Sequence, residues 1–160
     1  MNLNTFAQET ISPAKQKAME KLEFIVGQWS GGGWMMNREG EKQTFKQTEA
    51  IQWKVGKAII LIEGQGKQGE KIVHDALAII SYDETADQYN FRSYLASGRE
   101  GSYTATIEED QTFIWAIEAP GVTIKYTIQV KDDHWHEIGE MKRGESWFQF
   151  FEMDLDRLTK

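Results

Sequence analysis

The chain has 160 residues, a formal net charge of −7, 40% hydrophobic residues, 6 tryptophans and no cysteine. This length fits one domain with a core that needs no cross-links. The absence of cysteine excludes disulfides, thiolate metal sites and cysteine nucleophiles, while the negative charge and scattered basic residues argue against nucleic acid and anionic membranes as partners.

The N-terminal residues lack the apolar core of a signal peptide, and apolar runs such as 58–62 are too short to span a bilayer. We therefore predict a cytoplasmic protein without a membrane span. Residues 1–11 are predicted to form a flexible arm, and residues 12–160 a single domain.

A helix is predicted directly after the arm. Ser12 is a favourable N-cap, Pro13 suits the first helical position, and Gly27 can adopt the left-handed conformation that ends a helix. An apolar stripe at helical spacing is formed by Ala18, Leu22 and Ile25, with Met19 and Val26 beside them. We expect this stripe to close one end of a β structure.

After Gly27 the hydrophobic pattern has a period of two, which is typical of strands. Strands are predicted at 44–55, 58–63, 73–82, 89–95, 103–107, 113–117, 124–130, 135–141 and 147–155, in addition to a first strand after Gly27. Short turns between them indicate sequential antiparallel neighbours, and closure removes the exposed edges of such a meander. The predicted fold is mostly β, a single antiparallel up-and-down β-barrel of about ten strands, with the helix closing one end.

Three segments carry a family resemblance. Gly27-Gln28-Trp29 at the end of the segment 22–29 resembles the Gly-x-Trp signature of lipocalins, and Arg157 follows the last predicted strand. With the segments 81–89 and 147–157, the chain resembles a bacterial family of lipocalin-like, calycin-type barrels, which are similar in outline to nitrobindin-type and fatty-acid-binding barrels.

The resemblance implies a barrel in which Trp29 is buried where the helix meets the first strand, with the Arg157 guanidinium over its indole. It implies no activity, because the family has no agreed one and fold does not imply function. Haem binding of the nitrobindin type requires an inward histidine near the C-terminal strands, and the segment 147–155 has none.

Two glutamates raise the question of a polar site inside the barrel. Glu49 shares a strand face with Gln47 and several apolar residues, and burying an unpaired charge is costly. Glu49 is therefore paired, for example with Arg92, or faces a wet cavity, or is solvated on a splayed edge strand. Glu137 and Gln149 pose the same question on the last two strands.

Aromatic residues share the parity of the apolar positions in most strands. They either fill the core or line a cavity in which they stack on a ligand. A barrel of about ten strands has room for a ligand. We expect the cavity candidates to be Trp53, Tyr103, Trp115 and Tyr126, with Glu49, Glu137 and Gln149 as polar groups.

Histidines and glycines offer weaker signals. His134 and His136 share one strand face and could join His74 in a metal site, but the opposite face carries Trp135, so we expect both to face solvent and predict no metal. Gly31–Gly33 lacks the lysine of a phosphate loop, and we expect these glycines to let the strand bend or a ring such as Trp34 pack closely.

The preferred functional hypothesis is a small-molecule-binding barrel that holds an apolar or amphipathic ligand, without a cofactor and without assigned catalytic residues. One alternative is an isomerase or hydrolase that uses Glu49 and Glu137 as acid and base on a hydrophobic substrate. Another is an interaction domain in which the barrel is only a scaffold. The sequence does not determine the ligand or the oligomeric state.

Overall fold

The computed structural model describes residues 10–158. Its elements are α1 (Pro13–Glu20), a 3-10 turn (Glu23–Ile25), β1 (Gly27–Met36), β2 (Lys42–Lys54), β3 (Ile59–Gln68), β4 (Lys71–Asp83), β5 (Gln88–Leu95), β6 (Glu100–Glu108), β7 (Thr112–Ala119), β8 (Val122–Lys131), β9 (His134–Arg143) and β10 (Ser146–Arg157). The strands form a closed barrel in which each pairs with its sequence neighbours and β1 pairs with β10. The predicted antiparallel barrel of ten strands with an N-terminal helix is confirmed.

Most of the predicted N-terminal arm lies outside the described residues, and residues 10 and 11 have no regular structure. Within residues 10–158, no helix is long and apolar enough to cross a membrane.

The helix is shorter than the sequence pattern predicts. Ser12 caps α1, since its hydroxyl accepts a hydrogen bond from the Lys15 backbone N–H at 3.0 Å. However, α1 ends at Glu20, and the 3-10 turn delivers the rest of the apolar stripe. Leu22 and Ile25 are almost fully buried, so a tighter turn continues the stripe into the end of the barrel.

Gly27 therefore begins β1 instead of ending a long helix. Its φ of +145° is one that residues with a side chain rarely adopt, and a Cβ there would lie 2.6 Å from Nη1 of Arg157. This position requires glycine both for its backbone conformation and for the close approach of the arginine.

Glycines in β1 also allow close contact with β10. A Cβ on Gly31 would lie 2.1 Å from the carbonyl oxygen of Asp154, and one on Gly33 would lie 2.9 Å from the Phe45 ring. The ring over this strand is therefore that of Phe45. Trp34 is instead covered by Lys42, whose Nζ lies 3.5 Å from the indole centroid.

Candidate ligand-binding site in the barrel interior

Gln47 and Glu49 face the interior from β2. This strand pairs with β1 on one side and β3 on the other, so Glu49 does not lie on a splayed edge. Both side chains fit because Gly64 and Gly66 on β3 have no side chains to oppose them. A Cβ on Gly64 would lie 2.6 Å from Oε1 of Glu49, and one on Gly66 would lie 2.7 Å from Oε1 of Gln47.

Glu137 faces the same interior from β9. The Trp135 indole N–H donates a hydrogen bond to its Oε2 at 3.2 Å, and the Gln47 amide donates one to Oε1 of Glu49 at 2.6 Å. Within residues 10–158, neither carboxylate has a further hydrogen-bond donor or a cationic partner. Arg92, the partner considered from the sequence, follows the buried Phe91 and is exposed on the outer wall.

Burial raises the pKa of both carboxyl groups above the ordinary glutamate value. The pKa of Glu49 is raised to about 7 by desolvation, against a smaller lowering by the Gln47 hydrogen bond. The pKa of Glu137 is raised to about 8, first by desolvation and then by the negative charge of Glu49. The two groups therefore lie close enough to influence each other, and near neutral pH they do not both carry full charge.

The interior is not sealed at the level of these carboxylates. Glu49 and Glu137 each remain 8% exposed, whereas Trp29, at the end of the barrel next to α1, is 1% exposed. Every fully inaccessible side-chain nitrogen or oxygen among the described residues has a hydrogen-bond partner. The carboxylate oxygens without a donor are consequently in reach of solvent.

Aromatic side chains form the wall above the carboxylates. The Trp115 ring stacks on Tyr126 with centroids 4.3 Å apart and on Phe91 at 4.5 Å. We call the half-buried inner side chains of this region the open half of the barrel; they are Phe45, Tyr103, Trp115, Tyr126 and Phe151. The hydroxyls of Tyr103 and Tyr126 have no hydrogen-bond partner within the described chain, so they are available to a ligand.

Tyr126 connects this wall with the carboxylates. Its pKa is raised to about 12, first by burial and then by the negative charge of Glu137. Its neutral hydroxyl is thus a stable hydrogen-bond donor at any physiological pH.

Two of the residues that the sequence suggested lie elsewhere. The indole N–H of Trp53 donates to Oε2 of Glu23 at 2.9 Å, so Trp53 lies at the helix end, away from Tyr103, Trp115 and Tyr126. Gln149 is exposed and donates to Oε2 of Glu152 at 2.8 Å. A β-bulge between Gln149 and Phe151 changes the register with β9 and turns Gln149 outward.

The Gly-x-Trp segment forms the base of the interior. The indole N–H of Trp29 donates to the carbonyl of Ile25 at 2.8 Å, and the Arg157 guanidinium carbon lies 4.0 Å from the indole centroid. Arg157 also donates to the carbonyls of Val26 and Phe24 and to Oδ1 of Asp133. Its charge is therefore fully engaged and does not reach the carboxylates.

The histidines do not converge on one site. His134 and His136 lie on the outer face of β9, whereas His74 pairs with the inward Gly66 and lies on the inner face of β4. On the outer wall, the ligand atoms of His136, Glu152 and Asp154 lie within 4.8 Å of one another. Nδ1 of His136 is 2.8 Å from Oδ1 of Asp154, so these groups already satisfy one another as a cross-strand pair.

Two shallow surface depressions also lie on the outer wall. One lies along Glu63, Leu77 and Tyr94, and the other along Lys131, His134 and His136. Both are separate from the interior carboxylates.

The sequence contains a further signal for the interior site in the spacing of two glycines on β3. Gly64 and Gly66 alternate with the same period of two as Gln47 and Glu49, and a glycine on an inner position makes room for a polar neighbour. The cluster of His136, Glu152 and Asp154 had no such signal, because it depends on the register between β9 and β10.

No protein-family model matches the chain, and no curated protein sequence matches it. Among solved structures, Rv2717c from M. tuberculosis superposes with a TM-score of 0.67 at 15% identity, covering 94% of this chain and 100% of that chain. The S-type phycobiliprotein lyase CPES from Guillardia theta superposes with a TM-score of 0.64 at 12% identity, covering 91% and 98%. Both are lipocalin-like barrels of ten strands, and at these identities the likeness concerns the fold alone.

Proposed function

We propose that the barrel binds a small amphipathic molecule in its interior. The apolar part of the ligand lies against the aromatic rings of the open half, and its polar part contacts Glu49 and Glu137. The observation that carries this proposal is the pair of buried carboxylates, each with an oxygen that has no donor within residues 10–158 and that remains in reach of solvent. Such convergent polar groups below an apolar wall are typical of ligand sites.

The aromatic wall supports the same conclusion. A side chain that served only the core would be sealed, as Phe113 is at 1% exposure, whereas Trp115 on the same strand is half-buried and stacked between two rings. The half-buried rings of this wall leave aromatic surface that an apolar ligand can cover. A structural neighbour named as a phycobiliprotein lyase is consistent with a small-molecule role for this fold.

The proposal is tested with the neutral fluorescent probe N-phenyl-1-naphthylamine and with native mass spectrometry of freshly purified protein. We expect saturable fluorescence enhancement and, where a natural ligand is retained, an added mass. Trp115→Leu should weaken probe binding by at least about tenfold, since it removes the central ring of the stack.

The matched control for this variant is Trp147→Leu. Trp147 is 40% exposed on the outer wall, so its loss should leave probe binding unchanged. An equal effect of both variants, or no saturable binding by the unmodified protein, would reject an interior site.

An acid–base enzyme is the second candidate, because two carboxyl groups with pKa values raised to about 7 and about 8 face one interior. Native mass spectrometry of the Glu137→Gln variant distinguishes the two functions by the mass of the bound molecule. A bound molecule of the same mass in the variant and the unmodified protein favours binding. A different mass in the variant favours turnover at Glu137.

A further inference from the structure

Within residues 10–158, the interior carboxylates have no positively charged partner. Among the described residues, the ion pairs are Lys125–Glu140, Arg157–Asp133 and the pairs of His134 and His136 with Asp154 and Asp156. None of them includes Glu49 or Glu137. Burial of a carboxylate without a cationic partner costs several kcal/mol, on the order of the penalty for an uncompensated ion.

The neighbouring residues make room for the two carboxylates but do not neutralise their charge. Gly64 and Gly66 leave the space that Glu49 and Gln47 occupy, and each carboxylate receives a single neutral donor, from Gln47 or from Trp135. A site that served stability alone would gain more from apolar side chains of similar size. The unpaired negative groups therefore point to a missing positive one.

The ligand's charge follows from this imbalance, and the inference rests on the proposed function above. An anionic ligand would be repelled by the pair, and a neutral ligand would leave the negative charge of the pair uncompensated. We propose that the polar end of the ligand is a positively charged nitrogen, held between Glu49 and Glu137 while a flat apolar body lies against Trp115 and Tyr126.

The aromatic side chains around the carboxylates also favour a cationic ligand. Aromatic rings attract cations, and the half-buried Tyr103, Trp115 and Tyr126 belong to the open half. The free hydroxyl of Tyr126 lies near Glu137. Arg92 is on the outer wall, and Arg157 is engaged with Trp29. The charge of Arg99 acts on Tyr126 and Arg143 lies over Phe148, but within residues 10–158 neither arginine forms an ion pair with Glu49 or Glu137.

Binding of a cation is coupled to protons. The titratable groups around the site are Glu49 on β2, Glu137 on β9, Tyr126 on β8 and Tyr103 on β6, with His74 on the inner face of β4 and the charge of Arg99 acting on Tyr126. A cation replaces a proton held by the carboxyl pair, and that proton leaves to solvent. The affinity for a cation should therefore increase between pH 6 and 8.5.

The experiment uses three fluorescent compounds with one ring system: 9-(aminomethyl)anthracene, which is a cation, 9-anthracenemethanol, which is neutral, and 9-anthracenecarboxylate, which is an anion. They are titrated into the unmodified protein and into the double variant Glu49→Gln, Glu137→Gln. We expect the cation to bind at least about tenfold more tightly than the neutral compound at pH 8, as charge-assisted hydrogen bonds allow, and the anion to bind most weakly.

The double variant should lose the preference for the cation and should bind the neutral compound as tightly as the unmodified protein does. Its affinity for the cation should no longer depend on pH. The control Glu63→Gln changes an exposed glutamate on the outer face of β3 and should behave like the unmodified protein. Equal or tighter binding of the neutral or anionic compound would overturn the cationic ligand but leave the proposed function intact. If N-phenyl-1-naphthylamine also fails to bind, the proposed function fails with it.

Discussion

The two ends of the barrel both contain aromatic side chains, but they differ in how completely those side chains are buried and hydrogen-bonded. At the helix end, Ile60 and Ile80 have no exposed surface, and the hydroxyl of Tyr89 donates to the carbonyl of Ala18 at 2.7 Å. In the open half, Trp115 and Tyr126 are only half-buried, and the tyrosine hydroxyl has no partner within residues 10–158. The comparison indicates that the helix end stabilises the fold, whereas the open half is where we propose that a ligand binds.

Loss of the buried indole at the helix end should have the largest effect. Trp29→Ala removes a side chain that is 1% exposed and should lower the free energy of unfolding by roughly 3–5 kcal/mol. Arg157→Ala should cost less, about 1–2 kcal/mol, because its guanidinium stacks on the indole from a partly solvated position. Urea unfolding of both single variants and the double variant measures these values.

The double variant should cost less than the sum of the single variants, since the two side chains are in contact. Arg143→Ala serves as the control, because Arg143 is exposed near Phe148 at the end of β9 remote from Trp29. Strict additivity would mean that the contact between Trp29 and Arg157 contributes nothing to stability.

The interior carboxylates should make stability depend on pH in an unusual direction. Their pKa values are raised from 4.5 to about 7 and about 8, so the folded state holds more protons than the unfolded state between these limits. The free energy of unfolding should therefore fall by several kcal/mol as pH rises from about 5 to about 8, since each unit of raised pKa corresponds to about 1.4 kcal/mol.

Replacing both glutamates by glutamine should flatten this dependence and make the protein more stable than the unmodified chain at pH 8. Urea unfolding at pH 5, 6.5 and 8 measures the effect, and Glu63→Gln is the control. A parallel decline in the glutamine variant would assign the pH dependence to other groups and would remove the contrast between the two halves.

Substitutions on the outer wall should change the stability least. His136→Ala breaks an exposed pair with Asp154, and exposed pairs contribute about 0–1 kcal/mol. We expect a change below about 0.5 kcal/mol in urea unfolding and no change in probe binding. A larger loss that depends on added zinc would instead indicate that His136, Glu152 and Asp154 hold a metal.

The sequence by itself determined the architecture. Alternation with a period of two, turn residues at short intervals and the cap at Ser12 each depend only on neighbours along the chain, so they predicted the strand meander and the start of the helix. Closure then followed, because an open meander would leave unpaired edges. The inward position of Glu49 was also open to inference, since its strand places it on the face shared with Ile51.

Only the tertiary structure decided which residues meet. One bulge in β10 moved Gln149 outside, and Trp53 moved to the helix end, because register and height in a barrel depend on every strand between them. That neither Glu49 nor Glu137 forms an ion pair within the described part of the chain was likewise beyond the sequence, which offered Arg92 as a partner. In strands without a bulge, the local pattern fixes which face a side chain takes, whereas closure of the barrel fixes what lies opposite it.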